Sequence, residues 1–467
     1  MNPNRKDIPK NSVREDLGRQ GVALFTDLYE LTMLQAYFEE EMADIAVFSL
    51  FVRRLPVRRN FLLACGLDTA LEFLEDFRFS DDDLAYLAST GKFSDRFLVW
   101  LQDFHFMGDV YAVPEGTPVF ANEPILEVVA PLPQAQVVET FLMNQIHLQT
   151  MLASKAQRVV TAAQGRPVID FGSRRIHGLD AALKAARAFY IGGVSATSNV
   201  LAGKQYDLPI AGTMAHSYIQ VHGDEASAFR AFAGLYPDTV LLVDTYDTLA
   251  GVRNVVDLAT SPGGNFAIKA IRLDSGDLSS LSRQARRILD EAALDKVEIF
   301  VSGGLEENAI AELVSADAPI DGFGVGTEMG VSSDAPSLDI VYKLCEYAGR
   351  GRLKLSSGKP VLPGRKQLFR IGEGEEDVRD VIARADEGAP DHPGARPLLV
   401  QVMKAGNRLP EGGRIDLESA RGYAEEQASR LPPRIRALAP ANPPYPVAVS
   451  RTLSGLQKAL AKQIRSA

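Results

Sequence analysis

The segment PVIDFGSRRIHG, Pro167 to Gly178, joins a short β-branched run to an aromatic ring and two adjacent cations. The run predicts a buried strand that ends at Phe171, followed by a turn with Arg174 and Arg175. An arginine pair in surface salt bridges is one explanation. A site for a flat, anionic, phosphorylated molecule is the other, because rings stack on phenylalanine and guanidinium groups grip carboxylate or phosphate.

Two glycine-rich loops later in the chain predict a phosphate site. VSGG places Gly303 and Gly304 before a helix, and GVGT places Gly326 and Thr327 after the next strand. Backbone N–H groups of such loops, together with a helix N-terminus, bind phosphate, commonly at adjacent late strands of a barrel. One loop of this kind is most often only a turn, but two on consecutive strands favour phosphate binding.

His216 lies in the sequence AGTMAHSY, where small neighbours leave its imidazole open. A core histidine is expected among large apolar residues, which is the interpretation given to His147 in a long apolar helix. An exposed histidine beside phosphate-binding loops can act as a general acid, a phosphate ligand or a phosphoryl acceptor, because neutral imidazole is nucleophilic near physiological pH.

The motif RLDSGD places Asp274 and Asp277 around a glycine turn, directly after Arg272. Carboxylates at this spacing suit a pair of hydroxyl groups or a hydrated Mg²⁺ ion. Asp274 alternatively caps the next helix, a common role for aspartate after a strand. The residues alone leave these interpretations open, and the same ambiguity holds for Asp244, whereas Asp247 is assigned to its loop.

Composition narrows the function classes. The chain has 467 residues, 46% hydrophobic and 24% charged, which is typical of a globular protein with two or three domains or one large barrel with additions. A net charge of −10 argues against nucleic-acid or anionic-membrane binding. Cys65 and Cys345 form no disulfide or metal pattern. With no signal peptide and no long apolar run, a cytoplasmic protein is expected.

From residue 167 onward, short apolar strands alternate with helices, which predicts an α/β fold with a parallel sheet covered by helices. The number of strands favours a parallel α/β barrel, regular or irregular, closed or nearly closed, with its active site at the carboxyl ends of the strands. An open doubly wound sheet is the alternative, but no GxGxxG follows the first strand. The predicted strands begin at Pro167, Pro209, Thr239, Ala267, Val297 and Asp321.

The flanking regions predict an α+β domain built from the N-terminal region and the C-terminal tail. The expected division is a loose arm at 1–20, an N-terminal α+β domain at 21–160, the barrel with the active site at 161–345, and a C-terminal addition at 346–467 that packs on the N-terminal domain.

Within these regions the patterns predict individual elements. A helix starts near Thr26 or Asp27, and by position alone Tyr29 in its first turn is assigned to the core. Ser80 caps a further helix. The acidic, proline-rich segment 373–400 is predicted to be an exposed connection, and the segment 432–450 a proline-broken coil before a terminal helix.

Together these segments resemble the nicotinate phosphoribosyltransferase family. The matching motifs lie in order between residues 22 and 330: TDLYELTM, FGSRR, TSNVLAG, AGTMAHSY, LLVDTYDT, IRLDSGDL, VSGG and GVGT. The resemblance implies transfer of the phosphoribosyl group of phosphoribosyl pyrophosphate (PRPP) to nicotinate, giving nicotinate mononucleotide and pyrophosphate. It further implies coupled ATP hydrolysis and a requirement for Mg²⁺, whose ligands it leaves unassigned.

The resemblance implies a binding site for the pyridine ring. Phe171 stacks on one face of the ring, and Tyr29, contributed by the second subunit of a homodimer, closes the other. Arg272 faces the nicotinate carboxylate, with Thr213 beside it.

The resemblance also assigns the reacting groups. His216 is the histidine that ATP phosphorylates, and Asp274 and Arg174 are the other catalytic residues, both at the phosphoribosyl part. The other residues implied to bind substrate at the strand ends are Ser275, Gly303, Gly304, Gly326 and Thr327.

Asn199, in TSNVLAG, bears on the choice of base. The related enzyme for nicotinamide carries an aspartate near this position, which can accept from the carboxamide, and Asn199 lacks that anionic acceptor, which favours nicotinate. Transfer to nicotinamide or quinolinate, and a PRPP-binding homologue without catalysis, are the alternatives. Neither His177 nor the tail at 346–467 receives a role.

Overall fold

The computed structural model describes residues 22–261, 268–355, 361–410 and 416–466. The predicted arm at 1–20 lies outside these ranges, as does Ala267, the first residue of one predicted strand. Among the helices of the described ranges, none is both long enough and apolar enough to cross a membrane.

The N-terminal region combines helices with antiparallel strands, after a short 3-10 turn at Val22–Leu24. Its elements are α1 (Leu28–Glu39), β1 (Ile45–Val52), β2 (Leu62–Leu63), α2 (Leu67–Asp76), α3 (Asp81–Ser89), α4 (Asp95–Gln102), β3 (Asp109–Ala112), β4 (Pro118–Val119), β5 (Pro124–Pro131), α5 (Leu132–Val137) and α6 (Glu139–Ala163). The predicted cap of α3 is confirmed, because the Ser80 hydroxyl accepts the Asp83 N–H at 3.1 Å.

Strands and helices alternate through the middle of the chain, with a 3-10 turn at Ser173–Arg175. The elements are β6 (Val168–Asp170), α7 (Leu179–Ile191), β7 (Ala196–Thr197), α8 (Val200–Tyr206), α9 (His216–Gln220), α10 (Glu225–Leu235), β8 (Thr239–Leu242), α11 (Thr248–Thr260), β9 (Ile268–Leu273), α12 (Leu278–Glu291), β10 (Glu298–Val301), α13 (Glu307–Ser315), β11 (Gly322–Val325) and α14 (Thr327–Gly330).

These strands form a parallel sheet in the order β7-β6-β11-β10-β9-β8. The predicted α/β class and barrel-like parallel sheet are confirmed, in the form of a curled half-barrel. The strand predicted at Pro209 is wrong, because it amounts to one bridge between Ile210 and Thr197. Proline supplies no N–H to a ladder, and Ile210 is 59% exposed, so the segment has no buried face.

The C-terminal region adds strands and helices to the N-terminal elements. They are β12 (Ile340–Tyr347), β13 (Arg350–Gly351), β14 (Lys366–Glu373), β15 (Glu376–Arg384), β16 (Ala395–Pro397), β17 (Val400–Lys404), β18 (Asn407–Arg408), α15 (Leu417–Ser429), α16 (Pro433–Arg436), β19 (Val447–Val449) and α17 (Arg451–Ser466). One antiparallel sheet has the order β13-β12-β1-β5-β3-β17-β18, so strands from both ends of the chain share it. The predicted boundary at 345 falls inside β12, which pairs with β1.

Two expectations for this region are wrong. The segment 373–400 contains β15 and β16, because its acidic residues find arginine partners: Asp380 pairs with Arg370, and Asp377 with Arg396. The segment 432–450 contains α16 and β19 rather than only coil, since β19 pairs with β15 in parallel.

Candidate active site

The carboxyl ends of four neighbouring parallel strands, β6, β11, β10 and β9, meet at one edge of the half-barrel. The register pairs Val325 with Asp170, and Leu273 with Val301, so the loops that follow lie side by side. We call the residues at this edge the rim: 171–175, 213–216, 244–247, 272–277, 302–304 and 324–327.

Arg272 is the centre of the hydrogen bonding at the rim. Its Nε donates to the Ser302 hydroxyl at 2.7 Å, its Nη1 to the Thr213 hydroxyl at 2.9 Å, and its Nη2 to Asp274. The carbon at the centre of its guanidinium lies 5.2 Å from the centroid of the Phe171 ring. Three acceptors and a neighbouring ring hold the guanidinium in one orientation beside an aromatic face.

Asp274 is held as an anion by its neighbours. Its Oδ1 accepts from the Ser302 hydroxyl at 2.5 Å as well as from Arg272. Burial alone raises the pKa of the Asp274 carboxyl, but these two donors outweigh it, so the pKa lies below its usual range. The other oxygen, Oδ2, lies 3.9 Å from the Nε2 atom of His216. A carboxylate at the rim is therefore ready to accept from a hydroxyl or an imidazolium.

Asp244 braces the loop after β9 from the neighbouring strand. Its Oδ2 accepts from the backbone N–H of Asp274 at 2.9 Å and from the Ser275 hydroxyl at 2.7 Å. Its Oδ1 is buried and, among the described residues, has no hydrogen-bond partner. An orphaned carboxylate oxygen beside Asp274 is an acceptor left for a ligand.

The aspartates that the sequence left open divide between two roles. Asp277 caps α12, since its Oδ1 accepts from the Ser280 N–H at 3.1 Å. Asp247 caps α11 in the same way, with the Ala250 N–H at 2.7 Å. The Asp274 carboxylate instead makes the contacts described above, so the cap of α12 is Asp277 and not Asp274.

His216 lies at the start of α9 with 41% of its side chain exposed. Its Nδ1 lies 3.1 Å from the Thr245 hydroxyl, and its Nε2 faces Asp274. The imidazole is thus open to solvent on a polar surface, unlike His147, which accepts the Leu338 N–H at 2.9 Å and whose burial lowers its pKa.

The glycines of the rim allow close approach between loops. Gly303 has a φ of +92°, and a Cβ there would lie 1.9 Å from the carbonyl oxygen of Asp274. A Cβ on Gly324 would lie 2.5 Å from the Phe171 ring. Side chains at either position would push apart the groups that surround Arg272.

Comparisons with known proteins match the N-terminal part of the chain and the part with the parallel sheet to separate family models. Residues 24–147 match the model of the nicotinate phosphoribosyltransferase N-terminal domain, and residues 152–343 that of the quinolinate phosphoribosyl transferase C-terminal domain. The nicotinate phosphoribosyltransferase pncB2 of Mycobacterium tuberculosis is 53% identical over 95% of this chain and 94% of its own. The chain belongs to the nicotinate phosphoribosyltransferase family.

Two further relatives support this family assignment. The nicotinate phosphoribosyltransferase of Bacillus subtilis is 41% identical over 79% of this chain and 78% of its own. The crystal structure of human nicotinic acid phosphoribosyltransferase superposes with a TM-score of 0.83 at 29% identity, covering 93% of this chain and 99% of the human one. The similarity therefore includes the tail, which the sequence motifs leave out.

Tyr29, which family resemblance assigns to the pyridine ring, lies on α1 outside the rim of the same chain. It is 47% exposed, so the position-based assignment to the core is wrong: Leu31 and Leu34 form the buried face of α1. Burial and the nearby carboxylates of Glu139 and Glu30 raise the pKa of the Tyr29 phenol.

Glu30, next to Tyr29, is fully buried and accepts from the Thr26 and Thr140 hydroxyls at 2.5 Å each. Burial outweighs these two donors and raises its pKa to about 7. Glu30 thus connects the first turn of α1 to Thr26 and Thr140 in the interior. The sequence pattern predicted only that a helix starts here.

Two other family positions stand apart from the Arg272 contacts. The side-chain oxygen Oδ1 of Asn199 accepts the Ala202 N–H at 3.1 Å, which caps α8. Arg174 is exposed on the 3-10 turn after β6, whereas Arg175 donates to the Thr327 hydroxyl at 3.2 Å. The arginine pair therefore extends from β6 toward the loop after β11.

Thr245 is a rim residue that the sequence reasoning missed, whereas Ser302 belongs to the VSGG motif but received no role of its own. Ser302 joins Arg272 to Asp274, and Thr245 orients His216. Ser302 lies one position beyond β10 and Thr245 three positions beyond β8, so the position of a hydroxyl residue at a strand end was the available signal.

Proposed function

We propose that the protein is a nicotinate phosphoribosyltransferase, which transfers the phosphoribosyl group of PRPP to nicotinate in the salvage of NAD precursors. The observation that carries the proposal is the fixed guanidinium of Arg272 beside the Phe171 ring. A flat ring with a carboxylate matches that pair, because the ring stacks on Phe171 while its carboxylate takes donors from Arg272 and Thr213.

The phosphoribosyl group lies along the rest of the rim. Ionised Asp274 accepts from the ribose hydroxyls, with Ser275 beside it. Arg174 supplies an exposed guanidinium for the phosphate. Backbone N–H groups of the two glycine-rich loops complete the anion site, from Gly303, Gly304, Gly326 and Thr327.

The chemistry suits a site rich in anion binders. Departure of pyrophosphate from the anomeric carbon builds positive charge on the ribose, and the ring nitrogen attacks that carbon in line. The nitrogen of nicotinate is unprotonated at neutral pH, so no strong general base is needed. The chain contributes orientation, through Phe171 and Arg272, and cationic and N–H groups that stabilise the departing pyrophosphate.

Mg²⁺ fits this arrangement as a partner of the substrate phosphates. Among the described residues no cluster of three or more His, Cys, Asp or Glu side chains could hold a metal. Mg²⁺ commonly binds through one or two carboxylates plus phosphate oxygens and water. Asp244, with its orphaned Oδ1, and Asp274 are the carboxylates that would hold it. When bound, the ion neutralises charge on the pyrophosphate.

ATP is the proposed source of a phosphoryl group for His216. An imidazole nitrogen attacks the γ-phosphorus, the bond to the β,γ-bridging oxygen breaks, and ADP leaves. The open position of the ring and its contact with Asp274 support this role. Phosphate on His216 adds negative charge beside the pyrophosphate site and thereby changes its affinity for PRPP and products, which drives the reaction forward.

The active form is proposed to be a cytoplasmic homodimer. Tyr29 is exposed on α1, and Phe25 and Leu28 beside it are 47% and 52% exposed, which leaves apolar surface for a second copy of the chain. In that dimer the Tyr29 ring covers the open face of the pyridine.

Turnover of three bases tests the proposal. Purified protein with PRPP, Mg²⁺ and ATP is given nicotinate, nicotinamide or quinolinate, and mononucleotide and pyrophosphate are measured. Nicotinate is expected to be used best. Preference for either of the other bases would replace the base in the proposal, and binding of PRPP without pyrophosphate release would make the protein a non-catalytic homologue.

A further inference from the structure

Beneath the rim, buried charged side chains connect α6 to both glycine-rich loops. The side chains are at most 7% exposed. We call this group the ionic cluster, consisting of Arg59, Lys155, Arg158, Glu307 and Asp334.

Lys155, on α6, is at the centre of the ionic cluster. Its Nζ contacts the Glu307 carboxylate and lies 2.9 Å from Oδ1 of Asp334. Glu307 is the first residue of α13, directly after the loop of Gly303 and Gly304, and Asp334 follows α14, which begins at Thr327. One ammonium group therefore holds the segments that follow both loops.

The other cations complete the coordination of the two carboxylates. Arg158 donates from Nε to Glu307 at 2.9 Å, and Arg59 contacts both oxygens of Asp334 at 3.0 Å. Burial alone raises the pKa of both carboxyls, but the neighbouring cations outweigh it and hold the pKa of each below its usual range. The cluster therefore pairs two carboxylates with three cationic side chains.

A cluster of this kind contributes geometry more than stability. Buried ion pairs are costly to desolvate, and apolar packing of the same volume is often as stable. The gain here is directional, since the Arg59 Nη2 also donates to the Ser332 hydroxyl at 2.8 Å, and Ser332 has a φ of +45°. The connection after α14 is thus fixed in a left-handed conformation by the same groups.

We propose that Lys155 is a positioning residue that joins Glu307 to Asp334, so that the two glycine-rich loops present their N–H groups to one phosphate group. The inference rests on the proposed function, because that phosphate belongs to PRPP. The Lys155 side chain is buried, so it acts through the two loops rather than on the substrate.

Lys366 provides a matched control. It is also a buried lysine, its Nζ lies 2.9 Å from Oε1 of Glu127, and the pair joins β14 to β5 away from the rim. Lys366→Met therefore removes a buried ammonium from its carboxylate partner, as Lys155→Met does, without touching either loop.

The test is calorimetric binding of PRPP and of nicotinate to the full-length wild type, Lys155→Met and Lys366→Met. Lys155→Met is expected to weaken PRPP binding at least about tenfold, because displaced binding groups lose much of their effect, and to leave nicotinate binding within about twofold. Lys366→Met should leave both within about twofold. PRPP binding by Lys155→Met at wild-type strength, or equal loss of both ligands, would overturn the inference.

A second variant tests the inference if Lys155→Met does not fold. Glu307→Gln keeps a hydrogen-bond acceptor for Lys155 but removes the negative charge of residue 307. This variant should weaken PRPP binding severalfold. Unchanged PRPP binding would overturn the inference. If the wild type itself binds no PRPP, the proposed function fails, and the inference with it. If the wild type binds PRPP and the Lys155→Met variant binds it equally well, the inference about Lys155 is rejected while the proposed function stands.

Discussion

Two arginine–aspartate pairs in this molecule have the same chemistry and different surroundings. Arg370 and Asp380, in the C-terminal sheet, have fully buried side chains, and the guanidinium lies 5.6 and 5.9 Å from the rings of Phe120 and Tyr445. Arg272 and Asp274, at the rim, keep 16% and 29% of their side chains exposed. One pair is closed on all sides by the fold, whereas the other is left partly open.

The partners show the same contrast. Asp380 also accepts from the Tyr445 hydroxyl at 3.0 Å, and Arg370 donates to the Pro118 carbonyl at 2.7 Å, so protein groups take most of the bonding capacity. At the rim the bonding stays among Arg272, Asp274 and short hydroxyl side chains. A buried pair specifies structure, and a pair fixed in orientation but still exposed can recognise a ligand.

Breaking the buried pair should have the largest effect. Arg370→Met leaves Asp380 buried without its cation, which should lower the free energy of unfolding by about 3–5 kcal/mol in denaturant titrations. The KM for nicotinate should not change. The double variant Arg370→Met/Asp380→Leu should recover most of the stability; a double variant as unstable as the single one would contradict this account.

Removing Arg272 at the rim should weaken the binding of nicotinate rather than lower the stability of the fold. Arg272→Ala removes a charge-assisted contact worth about 1.5–3 kcal/mol, which raises the KM for nicotinate roughly 10- to 150-fold. Steady-state kinetics with saturating PRPP measure it.

Arg286→Ala is the control for Arg272→Ala, because Arg286 makes three similar bonds on α12, to Asp290 and two backbone carbonyls. Its nicotinate KM should match that of the wild type. An unchanged KM in Arg272→Ala would remove Arg272 from the substrate site.

His216→Ala should abolish stimulation by ATP while basal transfer survives, because the phosphoryl acceptor is lost but Phe171 and Arg272 remain in place. The measurement is nicotinate mononucleotide formation with and without ATP. His222→Ala is the control, since its ring contacts the Tyr218 carbonyl at 2.8 Å. Full ATP coupling in His216→Ala would reject the phosphohistidine.

The smallest effect is expected at Asn199, which caps a helix and is proposed to influence the choice of base. Asn199→Ala should lower the free energy of unfolding by about 1 kcal/mol. Asn199→Asp keeps the cap and should therefore keep the stability, but shift the ratio of kcat/KM for nicotinamide over nicotinate upward by less than about tenfold. An unshifted ratio would leave Asn199 as a helix cap alone.

The sequence predicts the parts of the site that depend on strand ends. Short apolar runs followed by glycine-containing turns identify β6, β9, β10 and β11, and parallel strands bring Phe171, Asp274 and Gly303 to one edge. It also predicts the cap at Ser80, because capping depends on residues three positions apart.

The remaining features depend on partners distant in the chain. Nothing local shows that Lys155 meets Glu307, or that the acidic residues of β15 are paired with arginines. Tyr29 looks like a core residue in a helical pattern, and only tertiary packing leaves it exposed. The strand predicted at Pro209 likewise depends on partners distant in the chain, and only one bridge, between Ile210 and Thr197, forms there.

PRPP-dependent formation of nicotinate mononucleotide by the purified full-length protein tests the central claim most directly. The account predicts stoichiometric nicotinate mononucleotide and pyrophosphate from PRPP and nicotinate, with a faster rate when ATP is present. Absence of product, under conditions in which the protein is folded and Mg²⁺ is supplied, would contradict it.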